Sequence, residues 1–347
     1  MNVKHIKTLP HPEGQLEIKQ MDPPLSPELA WEIEAFLLKI FEFGDYSFRS
    51  ALLGEYSSTL GSPFFLAFLD GKMAAAAACL FSRQYPLLAL MGPVATAENY
   101  RRKSLASSLI NSIMEHLSAL GCRAVYLGVS HNNHPARTLY RQLGFENHQG
   151  IIMRRLLPGN ENFDHFYFAP SAKAKIRKIS WGDYGAVLTL LACPCDLYCF
   201  DFFQGLFSSK YAPPTRFMNV FPEMMKRIAS SPGGANVLLA EPQEKLMGIA
   251  HLTTFPGTPR SHIALLDFFV HDNYITDAKA LLLRTLRDAA NLNVKSIYGY
   301  VPARDELKQK AFLSVGARPR ATLPKNISIN GQYQDVLVYE MVPLPAL

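Results

Sequence analysis

The order of short apolar strands and amphipathic helices runs through this chain twice, and that repetition limits what it can fold into more than any other feature. A β-α-α-β-β-β-α-β-α-β succession fills residues 15–157, and the same order starts again near residue 175. Gly144-Phe145 closes the last short helix of the first pass. Its counterpart is Gly316-Ala317, a spacing of 172 residues (316 − 144). A period of that size is the duplication of a whole domain, since solenoid repeats are several times shorter. With 347 residues and 48% hydrophobic content the chain has material for two cores, against roughly 150 residues for a typical domain.

In the first pass, residues 16–21 read as a strand, and Pro27 opens a helix through residue 41 with Leu29, Ile33, Phe36, Leu37 and Ile40 at helical spacing. A second helix is expected over 47–56. Strands at 64–69 and 73–81 flank Asp70-Gly71, a hairpin turn signal, and 87–94 is a further apolar strand. A basic segment then leads into a long helix carrying Leu105, Leu109, Ile113, Leu117 and Leu120, stopped by Gly121. A strand over 124–129, a short helix from Pro135 to Gly144 and a strand over 150–157 complete the pass. In the second pass strands are expected at 176–179, 237–240, 246–254, 263–270, 294–300 and 335–342, and helices at 181–192, 222–230, 278–290 and up to Val315. The result is an α/β chain (mixed sheets, α+β in character) of two tandem domains, 1–158 and 175–347. The breaker Pro158-Gly159-Asn160 introduces a linker at 159–174.

A net charge of +6 suits an anionic small ligand and is too scattered to argue for nucleic acid. The first residues lack the apolar core of a signal peptide, and the longest apolar run, 73–81, is far short of the roughly 20 residues that span a bilayer, so no membrane is expected. Five cysteines, an odd number without scaffold spacing, suit a reduced cytoplasmic setting. Cys193, Cys195 and Cys199 cluster as C-x-C-x3-C. A metal site would need a fourth ligand and usually a C-x-x-C pair, so small apolar thiols on a helix and its following loop explain them better, and no metal is expected.

The segment from Asn99 to Ser108 carries the first chemistry. A strand gives way to Arg101-Arg102-Lys103, and the loop opens directly into a helix with the small residues Ser104 and Ala106. Small side chains let a phosphate approach the backbone, and the free N–H groups and positive dipole end of a helix favour an anion. The product is a pyrophosphate cradle, although basic residues also solvate ordinary loops.

A second segment decides between these. Asn133-x-x-Ala136, then Leu139-Tyr140, a variable pair and Leu143-Gly144-Phe145 resemble the second half of the GNAT acetyltransferase core. The upstream loop resembles that family's Arg/Gln-x-x-Gly-x-Gly/Ala signature as Arg101-x-x-Ser104-x-Ala106, with Ser104 departing from the usual glycine. The resemblance implies a sheet whose fourth and fifth strands splay apart around the pantetheine arm of acetyl-CoA. The arm would pair with the backbone around Met91 to Thr96, with Val94, Ala95 and Thr96 as cofactor contacts, and the pyrophosphate would lie on Arg101, Arg102, Lys103, Ser104, Leu105, Ala106 and Ser107, with Asn133, Ala136 and Tyr140 also lining the cofactor. It implies an N-acetyltransferase in which a neutral amine attacks the thioester and a backbone N–H at Val94 or Ala95 steadies the oxyanion. Tyr140 would protonate the leaving thiolate, and Asn133 would hold the cofactor or keep the Tyr140 helix in register. Tyr140 could instead be a core aromatic near the helix end. Candidates for the base are Glu98, His131 and His134. His131, at the end of the fifth strand with an intrinsic pKa near 6.5, is the preferred one, and a solvated loop histidine is its plain alternative.

In the second pass the corresponding loop is His271-Asp272-Asn273-Tyr274-Ile275-Thr276-Asp277, which lacks the signature and would repel a pyrophosphate. Phe312 stands opposite Tyr140, and Asp305 opposite Asn133. The second domain is therefore expected to be a degenerate, non-catalytic GNAT-like fold that could cover the open face of the first. The aromatic stretch 193–221 is the candidate contact, or else a lid on its own domain or a dimer surface. The expected partners are acetyl-CoA and an amine acceptor, with a small molecule preferred, in a monomer or homodimer. The rival reading is a regulatory or interaction protein that binds acyl-CoA without catalysis.

Overall fold

A run of five alanines at 74–78 forms the centre of the first sheet, and small side chains there let helices close on both of its faces. The computed structural model describes residues 3–12, 14–41, 48–193, 200–201, 217–230, 233–329 and 331–345. The chain divides into two compact units: Met1–Phe163 with Ser180–Gly185, and Asp164–Ile179 with Ala186–Leu347.

Unit 1 runs β1 (Val3–His11), β2 (Gly14–Met21), α1 (Pro27–Leu38), α2 (Arg49–Leu52), β3 (Leu60–Gly61), β4 (Phe64–Leu69), β5 (Lys72–Ser82), β6 (Leu88–Thr96), α3 (Leu105–Ala119), β7 (Ala124–Gly128), α4 (His134–Gln142), β8 (Glu146–Gln149) and β9 (Ile152–Leu156). The sheet order is β1-β2-β4-β5-β6-β7-β9-β8, with β3 against β5. Ala75, Ala77 and Cys79 of β5 join Leu105, Leu109, Ile113 and Leu117 of α3 in one core. Ala76 and Ala78 join Ala30, Ile33 and Leu37 of α1 in the other. A strand buried on both faces reads as an unbroken apolar run, as β5 does.

Several elements depart from expectation. The β1–β2 hairpin was not legible, because residues 3–11 are exposed or half-buried throughout and carry no apolar period. The first helix ends at Leu38. The helix expected over 47–56 is the single turn α2, followed by a turn in which Gly54 holds φ +78 with Pro24 packed too close for a side chain. The strand expected over 150–157 is β9, and an unforeseen β8 before it makes the pair a hairpin turned at Gly150. Asp70-Gly71 does form its turn, both residues at positive φ as a two-residue hairpin requires.

Unit 2 contains most of α5 (Phe163–Tyr167), then β10 (Ala174–Lys178), most of α6 (Tyr184–Leu191), α7 (Phe217–Ser230), β11 (Gly234–Ala240), β12 (Lys245–Thr254), β13 (Ile263–Val270), α8 (Ala278–Asp288), β14 (Ser296–Pro302), α9 (Glu306–Ser314), β15 (Arg318–Ile329) and β16 (Gln332–Met341). The stretch expected as a linker at 159–174 thus holds a helix, and Tyr167 there is buried, its hydroxyl accepting the Leu246 N–H. Helix α7 begins five residues ahead of Pro222, which was expected to open it. Most of the aromatic stretch 193–221, and Cys195 and Cys199 with it, lies outside the described residues.

The strand order of unit 2 is β10-β11-β12-β13-β14-β16-β15. Without β1 and β3, the order in unit 1 is the same, strand for strand, including one parallel pair with a helical crossover: β6–β7 there and β13–β14 here. The duplication inferred from spacing is a duplication of topology, and both units are mixed α/β sheets.

Candidate active site

Strands β6 and β7 pair only through Leu88↔Ala124, Ala89↔Val125 and Leu90↔Tyr126. β6 continues to Thr96 with a partner on its other edge alone. Between Cys79↔Met91 and Ala77↔Val94 it has one residue more than β5, a bulge at Gly92-Pro93. Gly92 holds φ +145, which favours glycine, and Pro93 has no N–H to give to a ladder. A glycine-proline pair inside an apolar strand signals such a bulge, and reading 87–94 as an even strand overlooked it. Past it, the alternate backbone groups of Val94, Ala95 and Thr96 that do not face β5 point to the side β7 has left. Val94 packs in the α3 core and Ala95 in the α1 core.

The basic loop follows at once. A 3-10 turn over Glu98–Tyr100 leads through Arg101 to Arg102 at φ +63 and Ser104 at φ +57. Ser104 therefore takes the left-handed conformation that a glycine takes easily, at a cost of about 1–2 kcal/mol for a residue with a Cβ. It is the N-cap of α3, and no side chain caps that helix. The first-turn N–H groups of a helix have no intrahelical partner, so Leu105, Ala106 and Ser107 present donors beside the loop. Arg101 lies 4.0 Å from Glu98 with both side chains exposed, a pair worth little in water. Lys103 lies over the Tyr100 ring, and Arg102 is exposed. The end of β1 reaches this loop, with His11 Nε2 3.3 Å from the Lys103 carbonyl oxygen.

Helix α4 carries the second group. Asn133 is its N-cap, Oδ1 accepting the Ala136 N–H at 3.2 Å. Tyr140 is buried, with its ring edge-on to Phe145 at 5.9 Å. Burial pushes the Tyr140 phenol up to about 12. The Phe145 N–H donates to the Tyr140 carbonyl at 2.9 Å across Gly144 at φ +80, a Schellman ending that fixes the last turn. Arg137, which the sequence did not single out, is buried: Nη1 donates to the Val129 carbonyl at 3.2 Å and Nη2 to Asn147 Oδ1. It clamps α4 between the end of β7 and β8. Among the expected bases, Glu98, His131 and His134 are all exposed. Asn133 is held by its cap bond, and its backbone N–H donates to the Ser130 carbonyl.

The parted strands, the uncapped helix behind a basic loop, and the buried tyrosine on a capped helix all fall within one stretch of sequence. The acetyltransferase (GNAT) family profile matches residues 28–145. Unit 1 contains a GNAT acetyltransferase domain. No curated protein matches the chain. Similar solved structures include a GNAT-family acetyltransferase from Streptococcus pneumoniae, at 14% identity over 49% of this chain and 99% of that one, TM-score 0.40. Others are a spermidine N-acetyltransferase from Vibrio cholerae in complex with CoA and spermine (18%, 50% and 97%, TM-score 0.38) and a Salmonella typhimurium protein with its cofactor acetyl-CoA (13%, 49% and 94%, TM-score 0.39).

Against the GNAT domain, unit 2 keeps the three-pair parting of its parallel strands, Ile263↔Ser296 to Leu265↔Tyr298, and the helix cap, and differs at the bulge, the loop and the tyrosine. Strand β13 pairs with β12 without a bulge. The loop after it is a 3-10 helix over Asp272–Asp277 that runs into α8, and His271 caps it by accepting the Asn273 N–H at 3.2 Å. Phe312 takes the place of Tyr140 and is buried between Phe268 and Tyr339. The cap persists: Asp305, at φ −86 and ψ 75 against −85 and 67 for Asn133, accepts the Lys308 N–H at 3.0 Å. Among the described residues no helix is long and apolar enough to cross a membrane, and no three His, Cys, Asp or Glu side chains group to hold a metal.

Proposed function

We propose that unit 1 transfers an acetyl group from acetyl-CoA to a primary amine, preferably of a small molecule, and that residues 1–158 carry this activity while 175–347 do not. The observation that carries the reading is the parting of β6 from β7, with a bulge at Gly92-Pro93 on the freed edge, immediately before an uncapped, basic helix N-terminus. The pyrophosphate would lie on the N–H groups of Leu105, Ala106 and Ser107, with Arg101, Arg102 and Lys103 around it. The pantetheine arm would run past Val94, Ala95 and Thr96 toward Ala136 and Tyr140. A neutral amine attacks the thioester carbonyl, the C–N bond forms as the C–S bond breaks, and a backbone N–H near Val94 or Ala95 steadies the oxygen.

With a pKa of about 12, the Tyr140 phenol is fully protonated at neutral pH and meets the departing sulfur as a donor. A thiol near 8.5 is the weaker base by about 3.5 units, so complete transfer from the phenol alone is uphill by roughly 5 kcal/mol. Its part is a hydrogen bond to the sulfur that strengthens as charge develops, with the proton released by the attacking nitrogen completing the balance. Asn133 keeps α4, and with it Tyr140, in register. His131, exposed at the end of β7, is the base of this proposal wherever the amine arrives protonated. Cys79 and Cys122, buried free thiols, support a reducing cytoplasmic setting. The test is release of free thiol from acetyl-CoA across a panel of small amines. Amine-dependent release is expected. Binding of acetyl-CoA without release under every amine would instead make the chain a non-catalytic acyl-CoA-binding protein.

A further inference from the structure

Two positions beside the parted strands hold very small residues in unit 1 and an ion pair in unit 2. Counted from the first parallel pair, Gly92 lies four residues past Leu88, and Asp267 lies four past Ile263. Ala136 and Lys308 each sit three residues past their caps, Asn133 and Asp305, and each gives its N–H to that cap. A hydrogen and a methyl group in unit 1 thus become a carboxylate and a lysine side chain in unit 2. A Cβ built at Gly92 meets nothing within 4 Å, so the space beside it is open. In unit 2 the two longer side chains meet, with Lys308 Nζ 2.5 Å from Asp267 Oδ1, and both are buried.

The pair stands where the strands have separated. β13 and β14 pair only as far as Leu265↔Tyr298, and Asp267 is two residues beyond. The ion pair therefore ties β13 to the helix that follows β14. Phe268 lies 5.4 Å from Lys308 Nζ and edge-on to Phe312, which stacks on Tyr339. Asp267 is further held by the Asp201 N–H on Oδ2 and the Phe268 N–H on Oδ1, each at 2.8 Å. The loop is covered as well. His271 stacks on Phe168 at 4.2 Å, Asn273 donates to the Phe168 carbonyl, and the Tyr274 hydroxyl donates to the Ala169 carbonyl at 2.7 Å. Stability does not demand such a pair, because well-packed apolar residues of similar volume usually serve as well or better, whereas either charge alone would be stranded. The two residues make sense together, as a filling for one space.

We propose that Lys308 and Asp267 fill, within unit 2, the passage that in unit 1 receives the acyl-pantetheine arm, so that removing both side chains opens a second thioester-binding site. This rests on the reading of unit 1 as an acetyl-CoA site. The full-length chain is tested with acetyl-pantetheine, which lacks the nucleotide and so needs no basic loop. Bound probe per chain is counted by native mass spectrometry in the wild type and in the double variant Asp267→Gly with Lys308→Ala, which restores the unit 1 pair. One probe on the wild type and two on the variant are expected, and a folded variant that still binds one overturns the proposal. Should the wild type bind neither this probe nor acetyl-CoA, the unit 1 reading falls. Whenever the wild type binds no acetyl-pantetheine, a gain from none to one in the variant upholds the inference and none in both overturns it. Where the double variant does not fold, Lys308→Ala with n-butylammonium decides. A saturable rise in its unfolding midpoint that the wild type does not show upholds a fillable passage, and no rise overturns it.

Discussion

At the scale of single residues, the two units act as controls for each other. Phe312 occupies the place of Tyr140 and is fully buried, so that position accepts a ring without a hydroxyl. Tyr140→Phe should therefore fold normally and bind acetyl-CoA with unchanged affinity while kcat falls about a hundredfold, the low end for a lost hydrogen-bond donor to developing charge; thiol release gives the rate and calorimetry the affinity. An unchanged kcat would remove the tyrosine from the chemistry. The phenol donates only while protonated, so with a pKa of about 12 its contribution persists through pH 10 and is lost as pH rises toward 12. The same raised value makes the native state less stable between pH 10 and 12, where the unfolded tyrosine ionises and the folded one does not. Tyr140 was legible because Leu139, Leu143, Gly144 and Phe145 frame it. Arg137 was not: nothing in the local pattern says that a charged residue on a short polar helix will be buried against the Val129 carbonyl and Asn147.

At the scale of elements, the helix ends and the bulge set the site. Asn133 and Asp305 cap α4 and α9 with nearly the same dihedrals, which marks the cap as a requirement of the fold in both units. Asn133→Ala should cost about 1 kcal/mol of stability and lower kcat through Tyr140, whereas Asn133→Asp should retain both; chemical denaturation and turnover measured on the same preparations separate the two. Gly92 makes a different demand. A methyl group there has room, but φ +145 does not suit it. Gly92→Ala should therefore lower the unfolding midpoint by backbone strain of about 1–3 kcal/mol and raise the KM for acetyl-CoA; a midpoint equal to wild type would show that the bulge relaxes without glycine. The basic loop could be read from the chain because charge and small residues stand together in it. The bulge and β1 could not. One depends on pairing register, and the other is a strand without a single fully buried residue.

At the scale of the whole molecule, the duplication was visible from the spacing of two glycines, since each ends a helix in the left-handed conformation at φ +80 and +84. The two sheets share one strand order, strand for strand once β1 and β3 are set aside. What spacing could not show is how the second copy closed its own cleft, because that depends on Lys308 and Asp267 meeting across 41 residues of sequence (308 − 267). The proposed single acetyl-CoA site, in unit 1, has a consequence for where binding energy is felt. A ligand that binds the native state stabilises it by about 2.7 kcal/mol at a hundredfold excess over Kd, and only amides whose exchange requires the site to open register that gain. With acetyl-CoA at that excess, hydrogen exchange should slow by roughly a hundredfold for protected amides in β6, the start of α3, β7 and α4. The matching segments of unit 2, namely β13, the start of α8, β14 and α9, should exchange at their unliganded rates. Slowing of equal size in both sets would mean two bound ligands per chain, and the single-site assignment would fail even if Tyr140 proved essential.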